Sequence, residues 1–201
     1  MSASKIAAGL AIQKYWSANL NAQAGRAIAA YSQRLSKAIA EWGVQDTNNA
    51  NTFQQASYLL AKAEGSQETY GIFSTDAFPF AAPQMKAPKP GEAEDAALSI
   101  LTAVAESEKH HINVFRSTGN MPMSRPLFQY LDLEALAQVS KAREQIALEM
   151  KAQIKSGTLW TSQEPTFWRC LQCGARHRGK TALDECPCCK AGRAHQTNGG
   201  W

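Results

Sequence analysis

The sequence predicts a mainly α protein: an antiparallel four-helix bundle followed by a small C-terminal module built from cysteine knuckles. Two observations carry this. Four segments repeat apolar residues at steps of three and four with no convincing strand among them. All five cysteines fall after residue 169, in two tight pairs and one extra, as a metal site uses cysteine; a disulfide framework would spread them. At 201 residues the chain has room for one domain of ordinary size and an appendage, and its 44% apolar content allows a conventional core. The expected division is a bundle over 1–157, a linker over 158–167 and the cysteine module over 168–201.

The first helix is expected from about Ala3 to Trp42, on the recurrence of Ile6, Leu10, Leu20, Ala24, Ala27, Tyr31 and Leu35, with an end near Gly43. A second follows from Thr52 to about Phe73, with Phe53, Ala56, Leu60, Ala63 and Tyr70 on one stripe. The stretch from Pro79 through Pro83 to Pro90-Gly91 is too rich in proline for helix or central strand and is expected as a long loop or lid. The third helix begins near Glu92, where Glu94 and Asp95 suit the positive end of the helix dipole, and runs to about Arg116. The fourth spans about Leu131 to Lys155 and stops at Ser156-Gly157. Trp16, Tyr31 and Trp42 read as core and interface residues, and the aromatic surplus over one small core points to a homodimer.

The apolar run Ile6 to Ile12 falls far short of the ~20 residues a bilayer span needs, and no small-residue cleavage site follows it. A cytoplasmic protein with no membrane contact is the expectation. The net charge of +4 lies wholly on the cysteine module: residues 165–201 hold six Lys/Arg and two Asp/Glu, while the rest of the chain balances at fifteen of each. A basic surface on so small a unit favours an acidic partner, though thiolates on a metal return negative charge to it.

Cys170-Leu-Gln-Cys173 and Cys186-Pro-Cys-Cys189 are two C-x-x-C knuckles with twelve residues between them. Each can present two sulfurs from one tight turn, and two facing knuckles complete a tetrahedral site for zinc or a single iron. Gly174 suits a turn that reaches positive φ and aims backbone N–H groups at sulfur. Cys188 competes with Cys189 as the fourth ligand, but a C-x-C pair makes a different turn from the first knuckle, which favours Cys189.

These residues resemble the C-terminal rubredoxin-like domain of rubrerythrins. The likeness rests on Trp168 two residues before the first cysteine, on Cys173-Gly-x-x-His177-x-Gly179, on Ala182 four residues before the third cysteine and on Cys186-Pro-x-Cys189, all without gaps. Ala175 and Leu183 depart from it, standing where an aromatic and a proline are usual. The resemblance implies an Fe(Cys)₄ centre that passes one electron to or from a partner protein, on a ferritin-like bundle. A redox-silent zinc ribbon has the same spacing and would make the module a structural or binding unit; its exposed arginines and lysines suit an acidic protein better than nucleic acid, because no aromatic beyond Trp168 is interleaved with them.

Rubrerythrins also hold two irons inside the bundle and reduce hydrogen peroxide there, through carboxylates and Glu-x-x-His pairs. One such pair is visible, Glu108-Lys-His-His111, and helical phase puts both residues on the stripe of Leu101, Val104, Ile112 and Phe115. The remainder of the set is thin. Gly65 stands at the apparent ligand position of the second helix, Glu64 on the shoulder of its stripe, and Arg143 where the fourth helix of the family has a histidine. Arginine cannot ligate a metal. The leading expectation is therefore a degenerate site in which Arg143 pairs with Glu108; a mononuclear site through Glu108, His111 and Glu64, or a peroxide-reducing di-iron site, are the alternatives.

Overall fold

The computed structural model describes residues 2–65 and 92–198. Four helices form two antiparallel hairpins: α1 (Ala3–Ile28) with α2 (Gln33–Ala63), and α3 (Ala93–Gly119) with α4 (Leu133–Lys155). The hairpins pack through α1 and α3, closing a four-helix bundle. A 3-10 segment, Pro122–Gln129, makes the second hairpin connection. Among the described residues, no helix is long and apolar enough to cross a membrane. The loop expected over Pro79 to Gly91 and the aromatic stretches Tyr70–Phe73 and Phe78–Phe80 lie outside the described residues.

The boundary between the first two helices differs from the sequence expectation. The chain turns at residues 29–32, and α2 then runs unbroken through Gly43 and on past Thr52. Ser32 sets the corner: it leaves helical geometry at φ −155° and ψ 117°, and its hydroxyl accepts the Leu35 N–H, satisfying one of the free donors at the start of α2. Periodicity misses this corner because Ile28, Leu35 and the partly buried Tyr31 all feed one cluster, so apolar steps continue across the break. Gly43 is a packing residue inside a helix. A Cβ there would lie 3.1 Å from the Ala18 carbonyl oxygen and 3.4 Å from the Ala22 nitrogen, so its bare backbone is what lets α2 close on α1. Gly25 does the same from the other side, against the Ser36 carbonyl oxygen at 3.1 Å. At the start of α4, Asp132 accepts the Ala135 N–H.

The core divides in two along the bundle axis. One cluster joins Leu10, Phe53, Leu60, Phe115, Leu127 and Leu133; the other joins Ile28, Leu35, Ile39, Leu101, Val104, Met150 and Ile154. Between them lies a layer of buried polar side chains that includes Lys14, Asp46, Glu108, His111 and Arg143.

After α4 the chain reverses at Gly157, where φ is +68°, and a short turn seats Leu159 in the second cluster. Then comes a small sheet of strand order β2-β1-β3, with β1 Thr161–Cys170, β2 Arg176–Thr181 and β3 Gln196–Thr197. Residues 161–167, expected as linker, are thus the first part of the strand that delivers Cys170. Tyr31 packs against Trp160 with ring centroids 6.4 Å apart, and Arg34 donates to the Asn198 side chain at 2.9 Å, so the helix corner holds the module at both ends.

Gly43→Val should lower stability by about 2 kcal/mol or more in chemical denaturation, since the added methyls meet neighbouring backbone and outweigh the gain in helix propensity.

Candidate metal centre

The two knuckles repeat one local structure. In the first, the Gly174 N–H donates to the Cys170 carbonyl at 2.8 Å and the Cys170 N–H to the Ala175 carbonyl at 2.8 Å; in the second, Lys190 donates to Cys186 at 2.9 Å and Cys186 to Ala191 at 2.7 Å. Such a turn closes only if the residue after the second cysteine takes positive φ, and Gly174 and Lys190 do so at 76° and 63°. The knuckles face each other so that Cys170 Sγ lies 3.7 Å from Cys189 Sγ and Cys173 Sγ 3.7 Å from Cys186 Sγ, with all four within 4.8 Å of one another. Metal–sulfur bonds of ~2.3 Å in a tetrahedron give S···S edges of about 3.8 Å, so this set fits an S₄ ion and is far too open for disulfides. Among the described residues, no other group of three or more potential ligands meets this test. Cys188 is exposed and outside the set.

Backbone N–H groups converge on the sulfurs. Those of Cys189 and Cys188 hold the Cys186 thiol down to about 7. The Ala175 N–H acts the same way on Cys173, but the crowding sulfurs of Cys189, Cys186 and Cys170 push that thiol up to about 12. Four thiols this close cannot all ionise without a cation between them. Cys170 and Cys186 are buried, while Cys173 is exposed. Trp168, two residues before Cys170, is fully buried and donates its indole N–H to the Gly179 carbonyl at 3.1 Å, tying β1 to β2. Buried Gln196 pins the second knuckle by accepting the Leu183 N–H and donating to the Leu183 carbonyl.

In the bundle, the structure brings Glu108, His111 and Arg143 together in the polar layer and leaves Glu64 outside it. Glu64 sits at the C-terminal end of α2, where its carboxylate accepts from the Ser4 hydroxyl at 2.6 Å and serves the first turn of α1. The reason is register, because the layer lies about five helical turns further back along α2, at Asp46. Asp46 and Lys14 are the members that sequence reasoning missed. Asp46 Oδ1 accepts from Lys14 Nζ at 2.9 Å and Arg143 Nη1 at 2.8 Å; its Oδ2 accepts from the Ser17 hydroxyl at 2.6 Å and the Asn21 amide at 3.1 Å. Arg143 Nη1 also reaches Glu108 Oε1 at 3.3 Å, and its Nη2 donates to Gln45. Two cations thus face two carboxylates, all buried. Glu108 Oε2 and His111 Nδ1 lie 3.8 Å apart, beyond a hydrogen bond, and neither has another partner.

Burial raises the Asp46 and Glu108 carboxyls, but it is outweighed. Lys14, Arg143 and Ser17 hold Asp46 below the usual carboxylate range; the His111 ring, Lys14 and Arg143 do so for Glu108. Burial, only partly offset by Glu108, pushes the His111 imidazole below its ordinary 6.5 and keeps it neutral.

Comparison with known proteins bears on the C-terminal part. Residues 168–195 match the family described as rubrerythrin, rubredoxin-like domain. A rubrerythrin from Nitratidesulfovibrio vulgaris is 33% identical over 61 residues, which make up 30% of this chain and 32% of that protein. The match therefore spans about a third of the relative, and both likenesses agree with the resemblance read from the cysteine motif.

Lys190→Gly should stabilise the module by about 0.5–1 kcal/mol by relieving a left-handed conformation, seen as a higher Tm of the metal-loaded protein. Arg143→Ala leaves Glu108 buried without its cation and removes one of two from Asp46, and should cost roughly 3–5 kcal/mol in denaturant titration. Stability should fall with acid in two steps. Below about 6.5 the unfolded chain protonates His111 while the folded protein does not, and below about 4 the same holds for Asp46 and Glu108. His111→Gln should abolish the first step in Tm against pH and shrink the second to the part that Asp46 supplies.

Proposed function

We propose that Cys170, Cys173, Cys186 and Cys189 hold one iron and that the protein is a rubrerythrin-like one-electron carrier, with the helical bundle as scaffold. The observation that carries this reading is the pair of matching knuckle turns, which set four sulfurs within 4.8 Å of one another at the spacing of a tetrahedral S₄ site. The backbone N–H groups of Cys189 and Cys188 favour the Cys186 thiolate, and such groups around a thiolate cluster favour its reduced state. The iron, when bound, supplies an Fe(III)/Fe(II) couple. The chain packs Ala191 and Ala175 against the cysteines on one side, with Cys170 and Cys186 buried, and exposes the site on the other through Cys173. Electrons would enter and leave on that side, and a redox protein is the expected partner.

The polar layer of the bundle argues against a second metal centre of the di-iron type. The ammonium of Lys14 and the guanidinium of Arg143 both bind Asp46, and Arg143 also binds Glu108, so the carboxylates are already neutralised by fixed cations. A pair of irons would need these cations expelled and more carboxylates supplied. Peroxide reduction at a bundle di-iron site is thus the less supported reading.

Protein purified from its own host should be red, should contain a single iron per chain and should bleach with dithionite. A colourless protein carrying one zinc would sink the electron-transfer reading, and three irons per chain would restore the peroxide-reducing one.

A further inference from the structure

The outward face of the β1–β2 ladder is basic and has no partner within the chain. Register sets it: Phe167 lies opposite Arg178 and Arg169 opposite Arg176, while Trp168, on the other face, points into the module. Lys180 follows on the same face by alternation. All five side chains are exposed, Phe167 by 61%. From β1 onward the chain carries three carboxylates: Asp184 pairs with Arg193, Glu185 pairs with Lys190, and exposed Glu164, on β1, pairs with none of these basic residues. Among the described residues, no carboxylate pairs with Arg169, Arg176, Arg178 or Lys180.

Like charges directly opposite each other on a sheet destabilise it, so the Arg169–Arg176 pair works against folding of the module. An anionic occupant would offset that repulsion. The place is also specific. Arg169 immediately precedes Cys170 and Arg176 follows Ala175, so this end of the face runs into the first knuckle, where Leu171 and Cys173 are exposed. We propose that this face, centred on Phe167 and ringed by Arg169, Arg176, Arg178 and Lys180, docks an acidic protein surface and brings it against Cys173. An exposed aromatic within a charged ring is the usual make-up of a short-lived protein interface. Single-stranded nucleic acid fits less well, because one phenylalanine offers no run of stacking platforms. The partner's role as a redox protein rests on the one-electron reading above; docking itself does not need iron.

The test therefore uses the full chain in both metal forms, with an acidic [2Fe–2S] ferredoxin as probe. On zinc-loaded protein, Arg169→Gln with Arg176→Gln should weaken ferredoxin binding by about tenfold or more at low ionic strength. High salt should erase the difference, and Lys62→Gln, on an exposed turn of α2, should change little. Melting temperature should hold or rise in the double variant, because the repulsion is gone. On iron-loaded protein, the rate of reduction by ferredoxin should fall in parallel while reduction by dithionite stays the same. Unchanged ferredoxin affinity in the double variant overturns the docking face. So does tighter binding of an oligothymidylate of about twenty nucleotides that the same substitutions abolish. If binding responds as expected but the chain takes up only zinc, the docking face stands and the electron-transfer reading falls.

Discussion

Arg143 cannot give up its charge, and the middle of the bundle is organised by that fact. A guanidinium placed between two apolar clusters needs carboxylates within reach, and these must come from the two helices that face it. Glu108 supplies one from α3 and Asp46 the other from α2. Two carboxylates would leave one negative charge in excess, and Lys14 removes it, with Ser17 and Asn21 filling the remaining acceptor positions of Asp46. Replacing such a network wholesale by apolar side chains would cost little, but removing one member strands the others. The layer is therefore better understood as a fixer of helix register than as a source of stability: all four helices contribute to it, and sliding any one by a turn breaks several charged contacts at once.

How much of this could be read from the sequence depended on one helix boundary. Glu108, His111 and Arg143 were legible by helical phase because α3 and α4 are regular and their apolar stripes unambiguous. Asp46 was not, because Gly43 was read as a helix end, which left residues 43–51 without structure. Once α2 is continuous, Leu35, Ile39, Asp46, Ala50, Phe53 and Leu60 follow one stripe at steps of three, four and seven, and Asp46 is its one charged member. Lys14, between Leu10 and Leu20, is a different case: it lay inside the expected first helix, and its partner Asp46 was what could not be seen. The signal was present, but a glycine in mid-helix more often marks an end than a close approach between helices, and only the neighbouring backbone separates the two meanings. Glu64 failed differently: it lies near the apolar stripe but too far along the helix to reach the layer.

The cysteine ligand set was legible because spacing alone encodes a knuckle. What spacing left hidden was the frame around it. Residues 161–167 carry no strand signal of their own, with Pro165 among them, and only Thr161, Thr166 and Phe167 pair with β2, on either side of an irregularity. The repeat of the knuckle was also concealed at one position, since Lys190 stands where Gly174 stands in the first copy. A lysine in left-handed conformation gives no sign of itself in sequence; it is tolerated because the same hydrogen bonds that close the first turn close the second.

The neutrality of the polar layer has a consequence for how the protein comes into being. A bundle whose buried carboxylates require metal ions cannot settle until the ions arrive, so its folding follows the supply of iron in the cell. Here Lys14 and Arg143 are encoded in the chain and are present as soon as it is synthesised. If the layer holds no metal, as proposed above, the bundle folds independently of iron supply, and any dependence on metal is confined to the last forty residues or so, with the four cysteines.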